Sequence, residues 1–373
     1  MKRILFIQVT EPGAYPPLVN AAHLMVDAGW QVSFLASPVA GCTLQVPSRP
    51  GIEVMVMPIR SSHVVSKLNY LHYCARAMAL ALKIKPHVVY TSDPLGALPG
   101  LLASKVSGAR LLYHEHDSPN NEVCLNGLLR LARRAAFKRA SLIVFPNAER
   151  ARHAQRQSGF NIEKLRIVWN VPLIAALPLL RDKPKLPFVL YYHGSINPER
   201  LPETVLEAVA SFGGAIRLDV AGYESPGAKG YVQRILSRWN HGELEVIRYL
   251  GEQLHTDLLQ IAARCHAGLV LMPVGSDDVN MKHMVGASNK VFDYMAAGLP
   301  LIVSDISEWR GSYVDAGYGI SCDPRTVESV KSALGWLYKN PEIVSEISKN
   351  CRAKIELDWH YENEFKKILS FLD

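Results

Sequence analysis

The segment from Ala287 through Ser288, Asn289 and Lys290 to Gly298, Leu299 and Pro300 combines groups able to hold a phosphate. Ser288 is a good N-cap residue and Gly298 a good C-cap residue, so the spacing predicts a helix over 288–297 with a β-run directly after it. A helix start offers unpaired N–H donors and the positive end of the peptide dipole, which suits a diphosphate. Lys290 in the first turn has the wrong sign for that dipole, and a bound anion would account for it. Asp293, one turn on, is placed to accept hydrogen bonds from ribose hydroxyls. The alternatives are a Lys290 that points to solvent and an Asp293 that caps a nearby donor. In the first half, His114 and His116 share one strand face and could ligate a metal, but no third ligand stands at close spacing.

A second chemical signal is charge. Residues 1–172 carry 20 Lys and Arg against 9 Asp and Glu, a net +11, whereas the remainder carries 21 against 25, a net −4. Within the basic half, Arg130, Arg134 and Lys138 recur at four-residue spacing with Arg133 beside them. Leu128, Leu131, Ala132 and Ala135 are expected on the opposite face of that helix. Such a stripe suits anionic lipid headgroups, and its alternative is a solvated face. No aromatic-rich module accompanies it, so nucleic acid is not expected as a partner.

The elements that must position these groups alternate. Short β-branched runs are expected at Arg3–Val9, Gln31–Ala36, Glu53–Met57, His87–Thr91, Arg110–Tyr113 and Ser141–Phe145, separated for the most part by helical periods. After a proline-rich stretch, 173–187, expected as a linker, the alternation restarts with runs at Phe188–Tyr192, Ala215–Ala221, Leu244–Ile247, Gly268–Met272, Pro300–Val303 and Tyr318–Ser321. Strands separated by helices of ten or more residues mean βαβ units and parallel sheets. The expectation is an α/β protein of two doubly wound domains, 1–172 and 188–356, facing across a cleft. A final helical segment at 357–373 is expected to pack back on the first domain.

Several classes are excluded. Hydrophobic residues make up 49% and charged ones 20%, with no low-complexity tract, which does not fit a disordered or fibrous chain. The N-terminal apolar run is too short for a secretory signal, and no stretch suits a membrane span. Six cysteines stand far apart with no Cys-x-x-Cys, so a reducing cytosol is the expected compartment. The first βα turn holds the single Gly13, so it lacks the Gly-x-Gly-x-x-Gly fingerprint, and no Walker A sequence occurs.

The run Asn289-Lys290-Val291-Phe292-Asp293-Tyr294-Met295-Ala296-Ala297-Gly298-Leu299-Pro300 resembles the donor-binding segment of the GT-B glycosyltransferases of the group 1 type, retaining family four. His193-Gly194-Ser195, Asp219-Val220-Ala221-Gly222, Tyr249-Leu250-Gly251, Tyr113-His114-Glu115-His116-Asp117 and Asn170-Val171-Pro172 are similar to further segments of that family. The resemblance implies a GT-B fold of two Rossmann-like domains and metal-independent transfer of a sugar from a UDP- or GDP-linked donor, with no other cofactor. The acceptor is expected to be a glycan or lipid-linked molecule used in cell-surface polysaccharide or glycolipid synthesis. It places the donor against Gly194, Ser195, Gly222, Tyr249, Leu250, Ser288, Asn289 and Asp293, with Lys290 and Arg200 on the diphosphate. It sets His116, oriented by Asp117, on the transferred sugar, and Glu11 and Gly13 on the sugar or acceptor side.

Two positions depart from the family pattern: Val285 stands where a first Glu is usual, and Ser195 where an Arg is usual. They keep open a non-catalytic GT-B subunit that binds a partner enzyme; a sugar-nucleotide epimerase is the other alternative. The basic stripe implies a cytoplasmic protein working at the inner membrane face.

Overall fold

The computed structural model describes residues 1–37, 46–57, 63–121, 125–242 and 244–372, with the backbone alone for 63–66 and 226. Two compact units emerge: Met1–Asn170 with Tyr361–Asp373, and Val171–His360. The stretch 173–187 is attached to the second unit rather than free. Arg352 donates to the Pro178 carbonyl at 2.8 Å, Lys183 donates to the Gly298 carbonyl at 3.3 Å, and His266 Nε2 meets the Pro184 carbonyl at 2.9 Å.

Unit 1 is a seven-stranded parallel sheet. Its strands are β1 (Arg3–Gln8), β2 (Gln31–Ala36), β3 (Ile52–Val56), β4 (Val88–Ser92), β5 (Arg110–His114), β6 (Leu142–Phe145) and β7 (Leu165–Ile167). Their spatial order is β3-β2-β1-β4-β5-β6-β7. The order reverses between β1 and β4, and ligands of such sheets bind beyond the strands' C-terminal ends at that reversal. Strand β7 was not expected from the sequence: it is a three-residue edge strand with Arg166 at its centre, too short to show a pattern. Helix Tyr361–Leu372 buries Tyr361, Phe365, Ile368 and Leu372 in this unit. Arg110 donates to the Phe371 and Leu372 carbonyls at 3.2 and 3.0 Å, placing a cation at the negative end of the helix dipole.

Unit 2 repeats the plan with six parallel strands: β8 (Phe188–Ile196), β9 (Ile216–Glu224), β10 (Ile247–Tyr249), β11 (Ala267–Val270), β12 (Leu301–Ser304) and β13 (Gly319–Cys322). Their order is β10-β9-β8-β11-β12-β13. Strands β8 and β9 run past their expected ends, pairing from Phe188↔Ile216 through Gly194↔Gly222 to Ile196↔Glu224. Two glycines make that extension possible. A Cβ on Gly222 would lie 2.0 Å from the Gly194 carbonyl oxygen, and Gly222 has φ +138°. Strand β10 starts at Ile247, later than the sequence suggested, because Asn240 holds the preceding turn: its Oδ1 accepts from Val246 and Ile247 N–H.

Cys74, Cys265, Cys322 and Cys351 are buried thiols. Cys42, Cys124 and residues 122–124 of the expected helix 121–139 lie outside the described residues.

Candidate active site

In unit 2 the sequence-flagged groups converge on the C-terminal end of β8. Helix Asn289–Ala296 begins there, and Ser288 occupies the N-cap without a side-chain capping bond, which leaves N–H donors at the helix start available. Lys290 crosses Gly194 so closely that a Cβ on that glycine would lie 2.9 Å from Lys290 Cε. Its Nζ donates to Tyr192 Oη at 3.0 Å, and Tyr192 in turn donates to the Ser195 carbonyl. Ser195 therefore contributes a backbone acceptor to this chain. Burial, with the Arg200 charge nearby, holds the Lys290 ammonium well below its usual pKa. The Arg200 guanidinium reaches Met281 Sδ at 3.5 Å, and its buried Nε has no hydrogen-bond partner. Among the described residues neither Lys290 nor Arg200 has a carboxylate within ion-pair distance. Val285 is 7% exposed and adds no acid here.

Asp293 corrects an expectation. Expected at the surface, it is 3% exposed. His255 Nε2 approaches Oδ1 at 3.1 Å, and His193 Nε2 approaches Oδ2 at 3.4 Å. Only the His255 contact is a hydrogen bond; Asp293 Oδ2 and His193 Nε2 are buried without one. Burial pushes the Asp293 carboxyl up, yet His255, by charge and hydrogen bond, and then His193 carry it below the usual carboxylate value. The Asp293 charge holds His255 above its usual pKa, whereas burial pushes His193 down to about 3. The loop over β9 is tied by backbone bonds, Leu250 N–H to the Val220 carbonyl and Gly222 N–H to the Gly251 carbonyl, both at 2.8 Å. Tyr249 Oη donates to the Gly222 carbonyl at 2.8 Å.

In unit 1 the C-terminal ends of β1, β4 and β5 carry the second group of residues. His116 is 5% exposed, its ring centroid lies 3.7 Å from that of His114, and its buried Nε2 has no hydrogen-bond partner. Tyr90 Oη and His114 Nδ1 share a hydrogen bond of 2.6 Å. Burial, then the Arg150 charge, pushes His116 down to about 3, so the ring is neutral. Asp117 does not orient it: that carboxylate is 73% exposed and pairs with Arg150 Nη1 at 3.3 Å. The residue that fixes the segment is Asp93, whose Oδ1 accepts from the His116 and Asp117 N–H groups at 2.8 and 3.4 Å. Asp93 has φ +61°, a strained conformation for a non-glycine residue of the kind that collects at functional sites. Burial, with the Asp117 charge adding to it, pushes its carboxyl up to about 8. Glu11, 8% exposed, has its carboxyl raised by burial against an opposing Gly13 N–H bond. Among the described residues no group of three His, Cys, Asp or Glu is placed to hold a metal.

Asp93 and His255 were missed from sequence. Asp93 had a usable signal, an Asp-Pro pair directly after a strand, which marks a helix entry at the ligand-binding end of a sheet. His255 had none.

The basic helix also departs from expectation. Arg133 is fully buried and faces no surface; it forks onto Glu115. Leu128 and Leu131, expected on the inner face, are 52% and 66% exposed, and lie with Arg134 and Lys138 on the outer side. Arg130 is half-buried. The helix Gly127–Arg139 instead buries Ala132, Arg133, Ala136 and Phe137, because that stripe faces β5 and β6.

The model of the family described as "Glycosyl transferase 4-like domain" matches residues 18–171, and that of "Glycosyl transferases group 1" matches 180–354. A curated relative from Paraburkholderia phytofirmans is the UDP-N-acetylglucosamine–N-acetylmuramyl-(pentapeptide) pyrophosphoryl-undecaprenol N-acetylglucosamine transferase. It is 28% identical over 155 residues, which is 39% of this chain. The match spans only about two fifths of that relative's length, 40%. Among solved structures, Anabaena HepE in complex with UDP and glucose superimposes with a TM-score of 0.72 at 16% identity, covering 100% of this chain and 99% of that one. Sucrose-phosphate synthase from Thermosynechococcus elongatus superimposes with a TM-score of 0.76 at 14% identity, covering 100% and 98%. At these identities the likeness shows the fold, which is GT-B. With the two family models together matching most of the chain, one on each Rossmann-like unit, the chain belongs to the group 1 glycosyltransferases.

Proposed function

We propose that the protein transfers a sugar, with retention, from a UDP- or GDP-linked donor to a glycan or lipid-linked acceptor in cell-surface polysaccharide or glycolipid synthesis. The observation that carries this reading is the Lys290–Arg200 pair at the start of helix Asn289–Ala296, two basic side chains with no carboxylate opposite them among the described residues. A departing nucleoside diphosphate develops negative charge there, and preorganised cations and N–H donors stabilise it. Ser288, Asn289, Gly194 and Ser195 line that anion position, and Gly222, Tyr249 and Leu250 are assigned to the nucleoside. In unit 1, His116, Glu11 and Gly13 are assigned to sugar or acceptor hydroxyls, with His116 held in place through Asp93. The two relatives named for a UDP-sugar reaction or a UDP complex support a nucleotide-sugar substrate.

The exposed Leu128 and Leu131 beside Arg134 and Lys138 favour a protein that rests on an anionic, cytoplasmic membrane face. Among the described residues no helix is long and apolar enough to cross a membrane.

The deciding experiment is thermal denaturation with a panel of UDP- and GDP-sugars, followed by product analysis with the stabilising donor. A ligand at 100 times its dissociation constant adds about 2.7 kcal/mol. Transfer that survives excess chelator agrees with Lys290 and Arg200 serving the diphosphate. A protein stabilised by none of the donors does not have this function.

A further inference from the structure

We infer that His255, not Asp293, is the side chain that meets the ribose of the bound nucleotide, and that Asp293 is its buried positioning residue. This rests on the donor site proposed above and adds a binding group to it.

Both oxygens of Asp293 face imidazoles. Oδ1 takes His255 Nε2 at 3.1 Å, and Oδ2 lies 3.4 Å from His193 Nε2. His193 has no room to swing away and release the carboxylate, since it is 5% exposed and its ring packs against those of Tyr294 and Tyr191, with centroids at 5.0 and 5.7 Å. His255 differs: its side chain is 38% exposed, and it is the first residue of helix His255–Ala262, directly after the loop 250–254. With Nε2 turned inward to Asp293, the ring presents Nδ1 on its opposite edge. A carboxylate behind an imidazole fixes its tautomer and orientation. With the proton on Nε2, Nδ1 is a free acceptor for a ribose O–H. When the ring is protonated, Nδ1–H donates to the same hydroxyl. Either form recognises a ribose hydroxyl, and neither can serve a deoxy position. The ligand class is a ribonucleoside diphosphate.

The test compares UDP with 2′-deoxy-UDP and 3′-deoxy-UDP, and GDP with its deoxy forms, on wild type, His255→Ala, His255→Gln and Asp293→Asn. Binding is read by calorimetry and folding by circular dichroism. Wild type should lose about tenfold in affinity for one deoxy nucleotide, the size of one well-made hydrogen bond. His255→Ala should bind the ribonucleotide about tenfold more weakly and no longer distinguish it from that deoxy form. Asp293→Asn should keep part of the discrimination, because the ring remains but is less firmly held. Discrimination that persists undiminished in a folded His255→Ala, or is absent from wild type, overturns the inference while leaving the donor site intact. Wild type that binds neither UDP nor GDP overturns the donor site itself, and this inference with it.

Discussion

Arg133 forks onto Glu115, donating from Nε to Oε2 at 2.7 Å and from Nη2 to Oε1 at 2.6 Å, with both side chains fully shielded from solvent. Tyr113 Oη and Ser118 Oγ donate to the same carboxylate at 3.0 and 2.8 Å. The pair joins helix Gly127–Arg139 to the end of β5, one residue before His116.

Removing half of that pair leaves a buried charge without its partner. Arg133→Ala should therefore lower the unfolding free energy by about 3–5 kcal/mol. Replacing both partners with apolar residues, Arg133→Met with Glu115→Leu, should recover most of that loss. Denaturant titration of the two variants measures the difference.

The outer residues of the same helix should behave in the opposite way. Replacing Arg134 and Lys138 with Gln should change stability little, since surface substitutions stay within about 0.5 kcal/mol. It should abolish sedimentation with anionic vesicles at low salt, each cation near such a surface contributing about 1 kcal/mol. Donor affinity should be unchanged. Equal sedimentation of wild type and variant would refute the membrane assignment.

Lys290 makes nucleotide binding proton-linked. Its ammonium is held well below the usual pKa by burial and by Arg200, and a bound diphosphate should restore the charge. Between the lowered value and the restored one, UDP or GDP binding should take up a proton. Calorimetry in buffers of different ionisation enthalpy reads this directly. Lys290→Ala should bind the nucleotide more weakly and show no uptake.

Asp93 supplies a pH signature. Its folded pKa, about 8, lies above the unfolded carboxylate value, so the folded state binds more protons across the interval between them. Its contribution to stability therefore declines as pH rises from about 4 to about 8. Asp93→Asn should flatten that decline. Asp93→Gly should relieve the backbone strain at φ +61° yet lower transfer, because the His116 N–H loses its acceptor. Stability against pH and the turnover of these two variants check both statements. Unchanged turnover in Asp93→Gly would show that His116 needs no such anchor.

The sheets and most helices were legible in the sequence because β-branched runs, helix punctuation and the repeated alternation all express the same packing. Strand ends were less so. Strands β8 and β9 extend because Gly194 and Gly222 let two backbones approach, a condition visible only once the strands are paired. Lys290 and the helix start at Ser288 could be found because dipole and charge are local to one turn. The burial of Asp293 was not legible because its environment comes from His193 and His255, 100 and 38 residues away in sequence. Arg133 was misread for a similar reason. Spacing along a helix shows which residues share a face, but not that a charged residue has its counter-ion inside.

Helix Tyr361–Leu372 has a consequence for synthesis. It completes unit 1 after the whole of unit 2 has been made, filling its place with Tyr361, Phe365, Ile368 and Leu372. A nascent chain that has emerged only as far as Asn170 lacks the carbonyls that Arg110 engages and leaves the apolar seat of that helix open to water. The half begun first on the ribosome is thus the half finished last. A truncation or frameshift near residue 360 would damage the amino-terminal unit while leaving intact the unit encoded just upstream of the lesion.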